Sequence, residues 1–265
     1  MKQPLVTILV LSVSLFVFIP MPRGEPFLDP GIPDGQTLHY SYRAGGYAND
    51  FLVDVKRGEE VVESTSRVEV VSGPQGGKTY RIHDTGLRRN GYRFEQVSDL
   101  QAGAELKPLG FTSRDLNPGG RLIREMRVVF DDPTLSYPAG TFPIFGLVQA
   151  MRGTPFQEGK RAVFYVWVAP TEIFRMTLEV VRQETVQVPA GEIPSFLAEI
   201  RPDIRSIIPV GSLLSKLLQP FIPKYQFWFA SERSHPMVKF EGVLGGSGAA
   251  KHTIELTRIV EPGQE

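Results

Sequence analysis

The stretch Val180 to Pro202, VVRQETVQVPAGEIPSFLAEIRP, alternates apolar and polar residues on both sides of a central Pro189-Ala190-Gly191. Glu184, Val186 and Val188 share one phase of the first arm, and Phe196, Ala198 and Ile200 share one phase of the second. A period of two on both arms, meeting at a Pro-Ala-Gly break, predicts a long half-buried β-hairpin that pairs Thr185–Val188 with Ile193–Ala198. Gly191 is the position expected to need positive φ.

The same period extends outward. Upstream, Arg161 to Ala169 contains AVFYVWVA, a run apolar in both phases and so expected to be buried on both faces, and Ile173 onward leads into the hairpin. Downstream, Tyr225–Ala230, Met237–Val243 and His252–Ile259 predict three more strands. In the N-terminal half Leu38, Tyr40 and Tyr42, then Phe51, Val53 and Val55, then Glu60 to Ser72 alternate in the same way, and Tyr80–Asp84 and Tyr92–Val97 flank an Asn90-Gly91 hairpin turn. Two stretches break the pattern. Thr141 to Gly153 has Thr141 placed to cap, Pro143 in the first turn, and Ile144, Leu147, Val148 and Met151 at helical spacing. Between Ile204 and Pro223, Val210, Leu213, Leu214, Leu217, Leu218 and Phe221 fall on one face of a predicted helix of about ten residues. Ten or eleven strands with two short helices predict a mainly β domain over residues 37–265, a curved antiparallel sheet or half-open β-barrel with the helices as its cover.

Composition narrows the functional classes. Lys plus Arg and Asp plus Glu number 29 each, so no global positive field exists to hold nucleic acid. Lys2 followed by the apolar run Leu5–Ile19 has the layout of a signal peptide over residues 1–24, and the run is too short for an ordinary membrane span of ~20 residues. Residues 25–36 carry Pro26, Pro30 and Pro33 with Gly31 and Gly35, which predicts a solvated lead-in outside the sheet. The absence of cysteine excludes disulfides, thiolate metal sites and a cysteine nucleophile, and in an exported chain it favours a bacterial periplasm.

Chemical motifs are missing: there is no phosphate-binding glycine loop, no H-E-x-x-H and no G-x-S-x-G. His39, His83, His235 and His252 have no ligand spacing, and the sequence calls for no metal or cofactor. Ser231, Glu232, Ser234 and His235 lie in one short segment, where turn chemistry accounts for them better than a hydrolytic constellation. Arg88, Arg89 and Arg93 sit at the Asn90-Gly91 turn, and Arg124 faces away from Arg121 and Arg127 on a strand, so neither group forms one anion-binding patch.

From the short helix ending in AMRG, through ETVQVPAG, to YQFWFASERSHPMVKFEG and HTIELTRI, residues 141–259 resemble the DUF3108 family of bacterial periplasmic proteins. The resemblance implies the half-barrel of periplasmic lipoprotein carriers, a curved sheet covered by helices around an apolar cavity, and no assigned activity. Three readings follow: a carrier or sensor for a lipid, acyl chain or lipoprotein; an envelope module that meets a partner protein or a membrane surface; and, least supported, a hydrolase. On the first reading Leu214, Leu217 and Phe221 form a lid over a cavity lined by Tyr165, Trp167, Phe227 and Phe229. N-terminal sequencing of the exported protein is expected to start near Glu25, and recovery of intact Met1 in membranes would replace the cleaved signal with an anchor.

Overall fold

The computed structural model describes residues 27–45, 61–73, 76–130, 137–169, 172–203, 224–243 and 251–264. The expected signal segment, the strand at Phe51–Val55 and the leucine-rich stretch with Leu214, Leu217 and Phe221 lie outside the described residues. The strands are β1 (Thr37–Gly45), β2 (Val61–Ser72), β3 (Lys78–Arg88), β4 (Arg93–Gln101), β5 (Lys107–Leu116), β6 (Leu122–Val129), β7 (Thr141–Pro143), β8 (Arg161–Ala169), β9 (Glu172–Val188), β10 (Gly191–Pro202), β11 (Tyr225–Ala230), β12 (Met237–Val243) and β13 (Lys251–Val260). They form one open sheet in the order β6-β5-β4-β3-β2-β1-β13-β12-β11-β10-β9-β8-β7. Among the described residues only β7 and β8 pair in parallel.

The order follows from short connections. Each hairpin places its second arm beside its first, and among the described strands the pairing of β1 on β13 joins the two meanders into one sheet. One helix, α1 (Leu147–Met151), is found among the described residues, where the sequence predicts two. The second predicted helix falls on residues outside the description.

Pairing carries one inner face across the whole sheet. Phe164 lies opposite Met176, Ala198 opposite Phe227, Phe240 opposite Ile254, Tyr42 beside Ile254, Ser66 opposite Asp84, and Ile82 opposite Ser98. The helix α1 rests on this face, with Gln149 bonded to Ser66 and Gly146 against Ser98 and Ile82. Ring contacts then bring β5 to β8: Phe111 lies 5.5 Å from Trp167, and Phe130, just past β6, lies 6.0 Å from it. The sheet therefore curls until its two ends touch through side chains, with no hydrogen-bonded ladder closing it among the described residues.

The hairpin forms where the alternation places it, with Gly191 opposite Val188, Ile193 opposite Val186 and Pro194 opposite Thr185, and with Gly191 at φ 122. Farther from the turn a bulge at Val181 shifts the register, so that Leu197 faces Arg182 while Ala198 faces Val180. Leu197 and Ala198 are both fully buried, and Phe196, expected to share the phase of Ala198 and Ile200, is only half-buried.

Three expectations are corrected. The helix is shorter than predicted: Thr141–Pro143 is an edge strand, the Thr141 hydroxyl donates to Pro138 O rather than to a helix, and Gly146 at φ 79 precedes α1. Pro143 lacks the N–H that an inner strand would need, which suits it to an edge. The Asn90-Gly91 turn uses positive φ only at Gly91, with Arg88 N donating to Tyr92 O, so it is a longer loop than the two-residue type.

Residues 27–36, expected to be solvated, are packed. Phe27 and Ile32 are buried, Phe27 touches the rings of Phe142 and Phe164 at 5.1 and 5.3 Å, and its carbonyl accepts from Leu106 N. The prolines keep this segment out of the ladder without keeping it out of the core. A Cβ at Gly153 would stand 1.9 Å from Leu28 O, so this segment also presses on the end of α1.

Replacing Gly191 by Val is expected to lower stability by about 1 kcal/mol or more, because φ 122 strains any L side chain although the site is open to solvent. An unchanged thermal midpoint would refute the strain at this turn.

Candidate functional site

The inner face divides into a polar end and an apolar row. At the polar end Arg152, 1% exposed, follows α1 directly. Its Nε donates to Ser234 O at 2.5 Å, one terminal nitrogen to Gln149 Oε1 at 2.7 Å, and the other to Gln36 Oε1 at 2.6 Å. All three acceptors are neutral. Burial pushes the guanidinium down to about 10, against the attraction of Tyr40, Tyr80, Glu261 and Glu232.

The network extends along the strands. Gln149 passes a hydrogen bond to the Ser66 hydroxyl, Ser66 lies opposite Asp84, and Gln36 Nε2 donates to Glu261. Burial pushes the Asp84 carboxyl up to about 6, with the Ser66 hydroxyl and the charge of His83 acting the other way. Tyr40 donates to Met237 O, and Tyr42 shares a hydrogen bond with the Ser64 hydroxyl at 2.9 Å. Burial raises the Tyr42 phenol to about 12, so both phenols stay neutral at physiological pH.

Beside this polar end lies the apolar row Tyr42, Ile254, Phe240, Phe227, Tyr225 and Met176, contributed by the five strands β1, β13, β12, β11 and β9. Phe240 is sealed, whereas Tyr42, Ile254, Phe227, Tyr225 and Met176 are half-buried. Tyr225 lies over Gly242, where an added Cβ would stand 2.8 Å from its ring. Pro202 and Tyr225, at the inner ends of β10 and β11, both border this row.

The expected lining residues separate by register. Phe227 and Phe229 share the inner face, 6.1 Å apart and stacked, with Phe229 sealed against Phe156. Tyr165 and Trp167 project from the opposite side of β8, facing Arg175 and Ile173, because they are out of phase with Phe164 and Val166. Both are buried, and Trp167 fills the contact between the two ends of the sheet. The four aromatics therefore do not line one space.

The Ser231–His235 segment is a turn in which Ser231 and His235 bond to backbone carbonyls. Ser231 Oγ donates to Pro194 O, His235 Nδ1 donates to Ala230 O at 2.8 Å, and the imidazole packs 4.6 Å from the Phe156 ring. Ser234 and His235 take φ 71 and 42, uncommon for non-glycine residues, and the bond from Arg152 to Ser234 O holds that conformation. Among the described residues no cluster of three or more His, Asp or Glu is arranged to hold a metal.

Arg152, Gln149, Gln36 and Asp84 were not singled out from sequence. A signal existed, since Gln149, in a helix otherwise made of Leu, Val, Ala and Met, and Arg152, which caps its end, stand three apart, a spacing that puts both on one side.

No protein-family model matches the sequence, DUF3108 included, and no curated protein matches it. Solved structures do resemble the fold. A β-barrel-like protein of the domain of unknown function DUF1849 from Brucella abortus aligns at TM-score 0.50 with 12% identity, over 86% of this chain and 97% of that one. A candidate lipoprotein from Parabacteroides distasonis aligns at 0.38 with 10% identity over 89% and 98%. A candidate exported protein with a YmcC-like fold from Bacteroides fragilis aligns at 0.33 with 14% identity over 89% and 100%. The open 13-stranded sheet and the likeness to the DUF1849 protein make the fold β-barrel-like and open.

Asp84→Asn tests the polar end. Below the ordinary aspartate value near 4 the carboxyl is protonated in folded and unfolded chain alike; between about 4 and 6 the folded chain holds the proton more tightly, so stability falls as pH rises and levels off above 6. The variant is expected to exceed the wild type by about 2 kcal/mol above pH 6 and to match it at pH 4. An equal difference at both pH values in urea titrations would remove the buried-carboxylate explanation.

Proposed function

We propose that the protein is an exported, periplasmic envelope component that takes up an apolar chain, from a lipid, an acyl compound or a lipoprotein, on the inner face of its half-barrel. The observation that carries this reading is the half-buried apolar row Tyr42, Ile254, Phe227, Tyr225 and Met176 beside a hydrogen-bonded polar end. A row of that kind gains from contact with a hydrocarbon chain, at about 25 cal/mol per Å² removed from water, while the polar end beside it is already closed by its own hydrogen bonds. Sealed core needs no such division.

The leucine-rich segment 204–223 joins the sheet at Pro202 and Tyr225, both bordering the row. In this reading Leu214, Leu217 and Phe221 cover the bound chain, Phe227 lies beneath it, and Phe229, Tyr165 and Trp167 stiffen the wall without touching it. Export rests on the Lys2-led apolar run at the N-terminus.

Leu217→Glu is expected to weaken binding of a fluorescent fatty acid at least tenfold while the thermal midpoint stays within a few degrees. Lipid extraction and native mass spectrometry of the protein from periplasm are expected to show a co-purifying acyl compound. Equal probe binding by variant and wild type, with no lipid recovered, would reject the carrier reading.

A further inference from the structure

The sheet has two ends, and they differ. At one end β7 is three residues long and finishes in Pro143. At the other end β6 offers eight residues, and among the described residues nothing pairs with its outer edge. Among the described residues three of the five exposed large apolar side chains lie on it: Leu122 at 46%, Ile123 at 55% and Val129 at 46% exposure. Ile123, Glu125, Arg127 and Val129 share the side of β6 that continues Gly110, Thr112 and Arg114 of β5, so the exposed apolar residues flank an acid and a base.

A long apolar edge of this kind is a template for another strand. We propose that it pairs with β6 of a second copy of this chain, antiparallel about a twofold axis through Met126. In an antiparallel pair the facing residues both direct, or both withhold, their backbone groups, so identical edges can meet only with the axis on a residue. Four registers would pair five or more residues of β6, with axes at Arg124, Glu125, Met126 or Arg127. Three of these set a charge against itself: Arg124 on Arg124, Glu125 on Glu125, or Arg127 on Arg127.

The register centred on Met126 is free of that penalty. It sets Glu125 against the partner's Arg127 and Arg127 against the partner's Glu125, with Ile123 and Val129 pairing across at both ends. Arg127 makes no ion pair within the chain among the described residues, whereas Arg114 and Arg124 are bound to Glu125 and Asp115. Opposite charges directly across a pair stabilise it and like charges oppose it, so the edge specifies its own register.

Sedimentation velocity on the purified chain over a concentration series tests the arrangement. The wild type is expected at twice the monomer mass. Glu125→Arg places arginines against arginines and Arg127→Glu places glutamates against glutamates, so each variant alone is expected at monomer mass with an unchanged circular dichroism spectrum. Mixing the two variants pairs arginines with glutamates and is expected to restore the dimer, as is the double exchange Glu125→Arg with Arg127→Glu. A wild type that stays monomeric throughout, single variants that still dimerise, or a mixture and a double exchange that both remain monomeric would each overturn the proposal.

Discussion

The placement of one guanidinium governs much of the interior. Arg152 is withdrawn from water with no carboxylate bonded to it, and an isolated buried cation would be far too costly to keep. Three short hydrogen bonds to neutral oxygens compensate, each worth about 1.5 to 3 kcal/mol because the donor is charged. Their acceptors come from three places: Gln149 within α1, Gln36 in the segment before β1, and Ser234 in the turn between β11 and β12. A single side chain thereby joins the helix, the lead-in and a strained turn that are distant in sequence.

That junction decides which part of the inner face is closed. Where α1 and the lead-in lie, Phe27, Phe142, Phe164, Tyr80 and Ile82 are sealed. Away from them, Tyr42, Ile254, Phe227 and Met176 keep part of their surface. The division between a plugged end and a half-covered row is therefore a consequence of where the helix is anchored, and five residues of helix are too few to cover both. Bulges assist by bending the sheet around this cover, at Val181 in β9 and at Val238 in β12, the latter fully buried.

Strands were legible in the sequence because period-two alternation survives wherever one face is buried and the other wet, as at Val186 and Val188. Bulges were not, since nothing local marks Val181 as the residue that drops out of register; the shift answers to the partner strand. The start of α1 was misplaced because Thr141 and Pro143 carry the local signals of a helix entrance, while pairing with Tyr165 and Trp167 gives their backbone a better use. Phe27 and Ile32 were hidden by the prolines around them, which speak to ladder bonding and say nothing of side-chain burial. The grouping of Tyr165 with Phe227 failed on parity: type and hydrophobicity were right for an interior, but the face is fixed only by a register traced through the two intervening strands, β9 and β10.

The two ends of the sheet show how curvature and edges are linked. Because Trp167, Phe111 and Phe130 bring the ends together through rings, the edge at β7 is tucked against neighbouring side chains and needs only three residues and a proline to terminate it. The same contact engages β5 and the residue after β6, leaving β6 itself to project past the seam. Charged residues normally blunt such an edge, and β6 does carry Arg124, Glu125 and Arg127. Yet two of the three are tied to β5 by Asp115 and Arg114, so their charge is directed back into the sheet and repels an approaching strand weakly. What remains at the edge is Arg127 between exposed valine and isoleucine, a pattern that selects among partners more than it excludes them.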